Sequence, residues 1–203
     1  MHEHNQQLQE ELRRYRQEHG ELLARFDALL EQMKRKSIET FEDLANQDQQ
    51  AKNALIQLAR QTKPQQLEGY NIGLFGITST GKSTMLNALL DLKGENRAKT
   101  GVGETTMKVT PYQGTGYTLW DVPGRNDEVS YLSMEYISFF KGLSKILILI
   151  QSTVKENSSL MKMLDAIGVN YDIVFNKFDL IAEEERESLK SQIKSEVERL
   201  GLQ

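Results

Sequence analysis

The chain has 203 residues, a formal net charge of −4 and no cysteine. Its length allows one well-cored domain with an accessory element. Charges of both signs are interspersed, so no basic patch argues for nucleic acid, and the lack of cysteine excludes disulfides and thiolate metal sites and suits a reducing cytosol.

The first 63 residues are rich in Gln, Glu, Arg and Leu, with few β-branched side chains. Leu8, Leu12, Tyr15, His19, Leu22, Phe26, Leu29 and Met33 follow the 4-3-4-3 spacing of a coiled-coil seam. Leu23 and Leu30 widen that stripe, and His19 and Phe26 fill a two-stranded seam poorly, as in a helix packed within a bundle. An intramolecular helical hairpin and a dimerising coiled coil both remain open, the hairpin favoured. After Met33 the register breaks, and Ser37-Ile-Glu-Thr-Phe41 opens a second helix expected to run to Gln61. Lys63-Pro64 ends it. Residues 1–64 are therefore read as a helical region, 65–70 as a linker and 71–203 as an α/β domain.

A strand over 71–76 leads into Gly76-Ile-Thr-Ser-Thr-Gly81-Lys82-Ser83-Thr84, and a helix over 82–92 follows. Strand, glycine-bounded loop and helix are the context of a phosphate-binding P-loop. Glycines at 76 and 81 permit backbone conformations in which the N–H groups through Thr78, Ser79, Thr80 and Gly81 point at phosphate oxygens. The helix opening adds the positive end of its dipole. Lys82 reaches the outer phosphates, the Ser83 hydroxyl is placed to ligate Mg²⁺, and Thr84 continues the phosphate-binding turn. Alone, this motif specifies a nucleoside triphosphate and leaves the base open.

Residues 94–105 read as a flexible switch ending in Gly103-Glu104-Thr105-Thr106-Met107. A threonine here would close over the metal when triphosphate is bound, and Thr106 is favoured over Thr105. Strands over 107–113 and 116–121 form a hairpin around Gln113-Gly-Thr-Gly116. The second strand ends in Trp120-Asp121-Val-Pro-Gly124, where Asp121 is the second metal anchor through water and Gly124 offers an N–H to the γ-phosphate. A helix near 129–142, a strand over 145–151, a helix near 156–167 and a strand over 171–176 come next. The longest apolar run, 146–150, has the length of a buried strand and falls far short of a membrane span. After the last strand, Asn176-Lys177-Phe178-Asp179 occupies the position of a base-reading loop. Guanine presents N1–H and its 2-amino group to one carboxylate, so Asp179 accepts both, whereas adenine has an acceptor at N1. Asn176 bridges the base loop to the P-loop, and the Lys177 stem covers the ring face. A terminal helix over Glu183–Leu200 carries Leu189, Ile193, Val197 and Leu200 on one face and is capped by Gly201. Strand–helix alternation with one antiparallel hairpin makes this a three-layer α/β domain with a mostly parallel sheet.

With these boxes in order, the chain resembles the Ras-like P-loop GTPases, and more closely the immunity-related (interferon-inducible) GTPases near the dynamin-like group. Thr100-Gly-Val-Gly-Glu-Thr-Thr-Met107, Thr110-Pro-Tyr112 and Trp120-Asp-Val-Pro-Gly124 carry the closer match, which spans roughly 68–180. The resemblance implies Mg²⁺-dependent binding of GTP or GDP, and hydrolysis of GTP in dimers or oligomers with Lys82, Thr106 and Gly124 at the γ-phosphate. It also implies a sixth strand with a Ser-Ala-Lys-like loop and a last helix beyond Leu200, so the 203 residues read as a C-terminally incomplete domain. Where Ras-like enzymes carry a water-orienting glutamine, Arg125 stands here, so intrinsic turnover is expected to be slow, roughly 10⁻⁴ to 10⁻³ s⁻¹ or below. The alternative is a guanine-nucleotide switch or scaffold that does not hydrolyse and acts through its N-terminal helices. The polar start lacks a signal peptide's apolar stretch and no glycine follows Met1 for myristoylation, so a cytoplasmic protein is expected, with peripheral membrane association left open but not indicated by the sequence. His2 and His4 could touch a metal, but they lack a third neighbouring ligand and that reading is disfavoured.

Overall fold

The computed structural model describes residues 13, 17, 19–77, 80–93, 109–122 and 128–202. Among the described residues, the helices α1 (Gly20–Arg35), α2 (Phe41–Gln47) and α3 (Gln49–Gln61) precede the sheet. Phe26, Leu29 and Met33 line the inner stripe of α1 and are buried, while Leu22, Leu23 and Leu30 pack at its margin. The stripe is covered by the chain's own helices and α/β domain, all within one apolar cluster. Of the seam positions, Leu8, Leu12 and Tyr15 lie outside the described residues. The α1 helix closes where Ser37 turns to φ +54° and the Ile38 amide reaches back to the Met33 carbonyl at 3.0 Å.

The single helix expected from Ser37 to Gln61 is instead two. Asp48 adopts φ −146°, ψ 83°, ending α2 and capping α3 by accepting the Ala51 amide at 2.9 Å. Its carboxylate also pairs with Lys36 at 2.5 Å. An aspartate able to bond the backbone two or three residues on competes with helix propagation, and here the cap wins. At the other end of α3, Lys141 donates to the carbonyls of Ala59 and Thr62, placing a cation at a helix C-terminus.

The sheet has five strands: β1 (Tyr70–Phe75), β2 (Thr110–Gln113), β3 (Tyr117–Asp121), β4 (Lys145–Ile150) and β5 (Asp172–Phe175). Their order is β2-β3-β1-β4-β5, parallel except for the β2–β3 pair. The helices α4 (Lys82–Leu89), α5 (Met134–Gly142) and α6 (Ser158–Ile167) lie between strands, and α7 (Glu183–Leu200) follows β5. Side chains alternate across each strand. Leu74, Leu119 and Leu149 thus meet Leu86 of α4 on one face, while Phe75, Trp120, Ile146, Ile148 and Ile150 join α5, α6 and the N-terminal helices on the other. Two helices begin later than their periodicity suggests: 3-10 turns occupy Glu128–Leu132 and Val154–Asn157, and Ser133 then caps α5. Trp120, 4% exposed, donates its indole N–H to Asn71 Oδ1 at 2.9 Å and meets Phe139 edge-on with ring centroids 5.3 Å apart.

The N-terminal helices form a further layer. The α2 helix packs on α6 and on the 3-10 turn over Glu128–Leu132, and α3 packs on α6. Glu42 of α2 pairs with Lys162 and accepts the Ser158 hydroxyl at 3.2 Å, both on α6. No helix among the described residues is long and apolar enough to cross a membrane.

Candidate functional site: a glycine-bounded loop bonded to an Asn-Lys-Phe-Asp turn

The described candidate residues gather at the carboxyl ends of β1, β3 and β5, where parallel strands feed their loops. Gly76 leaves β1 at φ +141°, and a Cβ there would lie 2.6 Å from the Leu149 carbonyl oxygen. Gly81 stands at φ +88° as the N-cap of α4. Both positions combine a left-handed backbone with no room for a side chain. Between them the buried Thr80 hydroxyl donates to the Ile77 carbonyl at 2.9 Å, folding the loop back on itself.

Lys82 opens α4 and donates to the carbonyls of Gly76 at 2.6 Å and Ile77 at 3.2 Å. Burial pushes its pKa below the usual lysine value, while the negative charge of Asp121 pulls the other way. The Ser83 hydroxyl donates to Asp121 Oδ2 at 3.2 Å. Asp121 closes β3 in register with Leu74, so the strand pairing carries the carboxylate to the phosphate loop. Burial raises its pKa, and the Lys82 charge and Ser83 bond only partly offset that. Thr84 is exposed on the outer side of the first turn of α4.

The second loop is tied to the first. Asn176 takes its place through its amide, which donates to the Ile150 carbonyl at 2.8 Å, and its side-chain Nδ2 donates to the Thr80 carbonyl at 2.7 Å. Lys177 is left-handed at φ +58°, and its Cε runs 3.7 Å from where a Cβ on Gly81 would lie. Asp179 sits in the 3-10 turn over Phe178–Leu180 with its side chain exposed. Thr78, Ser79, Thr105, Thr106, Gly124 and Arg125 lie outside the described residues. A cavity of about 640 Å³ beside Lys63, Lys141 and Asn170 is remote from these loops, at the opposite ends of the strands.

Ser83 and Asp121 supply a hydroxyl and one carboxylate to the same point. Among the described residues no group of three or more His, Cys, Asp or Glu could hold a metal. A single carboxylate with a hydroxyl fits Mg²⁺, which keeps waters and takes further oxygens from substrate phosphates. Burial raises the pKa of Asp121 against the Lys82 charge and the Ser83 bond, so a bound cation would favour its ionised form.

Sequence reading missed Arg186 and Glu196. The Arg186 guanidinium lies 5.6 Å from the Phe178 ring centroid and donates to the Ile181 carbonyl at 3.1 Å and the Asp179 carbonyl at 3.4 Å. Glu196 of α7 accepts the Thr153 hydroxyl at 2.6 Å and the Val154 amide at 2.9 Å, anchoring the segment that follows β4. Within the helical periodicity each reads as an ordinary solvated charge, and only the tertiary placement distinguishes it.

A mostly parallel sheet with a glycine-bounded loop, a half-buried lysine at its end and an Asn-Lys-Phe-Asp turn bonded to it defines a P-loop nucleotide-binding protein. The sequence model of the family "Interferon-inducible GTPase (IIGP)" matches residues 24–199, and the chain belongs to that family of GTP-binding GTPases. It is 36% identical over 117 residues to the mouse T-cell-specific guanine nucleotide triphosphate-binding protein 2, covering 54% of this chain and 28% of that protein. It is 45% identical over 58 residues to the bovine interferon-inducible GTPase 5, covering 26% of this chain and 12% of that one. A probable GTP-binding protein EngB of Roseobacter denitrificans is 27% identical over 132 residues, 59% of this chain and 61% of the relative. The chain thus spans little more than a quarter of the mouse protein's length. Among solved structures, a probable GTP-binding protein engB aligns at a TM-score of 0.42 and 14% identity, covering 64% of this chain and 84% of that one.

Proposed function

We propose that the chain binds GTP and GDP with Mg²⁺ and hydrolyses GTP slowly, at a rate raised by self-association or by a partner. The observation that carries this reading is the bond from Asn176 Nδ2 to the Thr80 carbonyl, with Lys177 running along Gly81. It locks the base-reading turn to the phosphate loop, so one nucleotide spans both. Asp179 would accept the guanine N1–H and 2-amino group, and Lys82 would exchange its loop carbonyls for phosphate oxygens. Ser83, Asp121 and Thr106 would hold the metal, which when bound neutralises charge on the β- and γ-phosphates. Gly124 would donate its N–H to the γ-phosphate.

Arg125 stands where a water-orienting glutamine would, so a partner, a second copy of the domain or the nucleotide itself would complete the catalytic set. The same residue supports a second reading, a guanine-nucleotide switch that recruits partners through its N-terminal helices without useful hydrolysis. The cysteine-free composition suits a cytoplasmic setting.

Calorimetric titration of GDP and ADP, with and without Mg²⁺ and at two protein concentrations, tests the binding reading. Tight GDP binding, weak ADP binding and a Mg²⁺-dependent GTP affinity are expected, and equal affinity for GDP and ADP would overturn the base assignment. Phosphate release per molecule should rise with protein concentration. No release at any concentration selects the non-hydrolysing switch.

A further inference from the structure

Three glutamates, Glu183, Glu184 and Glu185, occupy the first turn of α7 and suit the positive end of its dipole. Arg186 follows directly and opposes that dipole, so its position calls for another cause. Its side chain turns back over the preceding loop instead of extending into solvent. Nε donates to the Ile181 carbonyl at 3.1 Å, Nη2 donates to the Asp179 carbonyl at 3.4 Å, and the guanidinium plane lies 5.6 Å from the Phe178 ring centroid. Phe178 is itself fixed from the other side, edge-on to Phe175 of β5 with centroids 5.7 Å apart. The Asp179 side chain is exposed, so its aim depends on how firmly its backbone is held. Arg186 touches residues on either side of it: the Phe178 ring before it, which Lys190 Nζ also approaches at 5.7 Å, and the carbonyl of Ile181 beyond it.

We propose that Arg186 is a positioning residue for base recognition, clamping the 3-10 turn so that the Asp179 carboxylate meets the edge of guanine. The proposal rests on the guanine reading given above. A guanidinium suits the task because it offers several donors in one rigid plane and stacks on an aromatic face, whereas a lysine offers one flexible point charge. The clamp also links α7 to the nucleotide, so a movement of that helix would change base discrimination without touching the phosphate loop.

The test is calorimetric titration of GDP and of inosine diphosphate, which lacks the 2-amino group, against the intact chain and the Arg186→Ala, Arg186→Lys and Asp179→Asn variants. Arg186→Ala is expected to reduce the GDP-to-inosine-diphosphate affinity ratio about tenfold, as the loss of charge-assisted bonds would. Arg186→Lys should recover part of the ratio, and Asp179→Asn should abolish it. Phe178→Leu removes the stacking face while leaving Asp179 in place, and should lower the ratio in the same direction if Arg186→Ala does not fold. An unchanged ratio in Arg186→Ala, or an equal loss for both nucleotides, overturns the clamp and leaves a purely structural contact. Equal affinities in the intact chain show that the 2-amino group is not read, and the role of Arg186 falls with that contact, whereas equal affinities for GDP and ADP overturn the guanine reading itself.

Discussion

A methyl group added to Gly81 would lie 2.6 Å from Nδ2 of Asn176, the atom that bonds the Thr80 carbonyl. The backbone at φ +88° already disfavours any side chain there. Gly81→Ala should therefore weaken GDP binding at least about tenfold, a penalty of the size expected for backbone strain plus a lost hydrogen bond. Its affinity, measured by titration, should fall further than that of Asn176→Ala, which loses the bond without the clash. The glycine spacing and the Asn-Lys-Phe-Asp run were legible in the sequence because each has a short-range backbone or hydrogen-bonding requirement. The convergence of Ser83 with Asp121 was also legible, since strand-end motifs in a parallel sheet share one edge. Arg186 was not, because its partners Phe178, Asp179 and Ile181 lie on a turn whose geometry the sequence does not specify.

Among the elements, the strands and α7 follow their periodicity closely, α4 ends at Leu89 short of the expected 92, and two other departures occur where a polar side chain competes for backbone amides. Asp48 breaks one expected helix into α2 and α3, and Ser133 delays α5 behind a 3-10 turn. Such contests are decided by tertiary placement, as when Lys36 stabilises the Asp48 carboxylate. The Lys36 hydrogen bond, followed by the Ala51 amide, holds the pKa of Asp48 below its ordinary value. Burial alone would raise that of Glu196, but the Thr153 hydroxyl, the Val154 amide and the Gln192 side chain together lower it. Carboxylates with depressed values bind fewer protons folded than unfolded, so their contribution is complete above about pH 5 and is lost as pH falls through the lowered values. Thermal midpoints measured from pH 7 to pH 3 should fall more steeply for the intact chain than for Glu196→Gln. At neutral pH, Glu196→Ala should cost about 1–3 kcal/mol by leaving the Val154 amide without a partner, measured by urea unfolding.

For the whole molecule, the N-terminal helices and the sheet share one apolar cluster that includes Phe26, Leu44 and Leu55 together with Tyr131, Phe140 and Leu164. The sequence stripe on α1 announced a packing partner but did not say whether it was this chain or another, because both present the same apolar surface. Burial within the cluster implies that the helices and the sheet melt together. Leu55, with no exposed surface, lies in α3 away from the nucleotide loops. Leu55→Ala should cost about 2–5 kcal/mol. Calorimetry should show one transition for the intact chain, shifted to lower temperature in the variant without splitting. Two separate transitions would show that the helical layer and the α/β domain are independent.

The chain has a single tryptophan, and it stands directly before Asp121. With its indole hydrogen-bonded to Asn71 and shielded from water, Trp120 gives the protein a built-in optical probe. Emission from the native chain should be blue-shifted and should move to longer wavelength on denaturation. Because β3 carries the fluorophore and the carboxylate on adjacent residues, a change in intensity on adding nucleotide would report loading of the cleft without any attached dye.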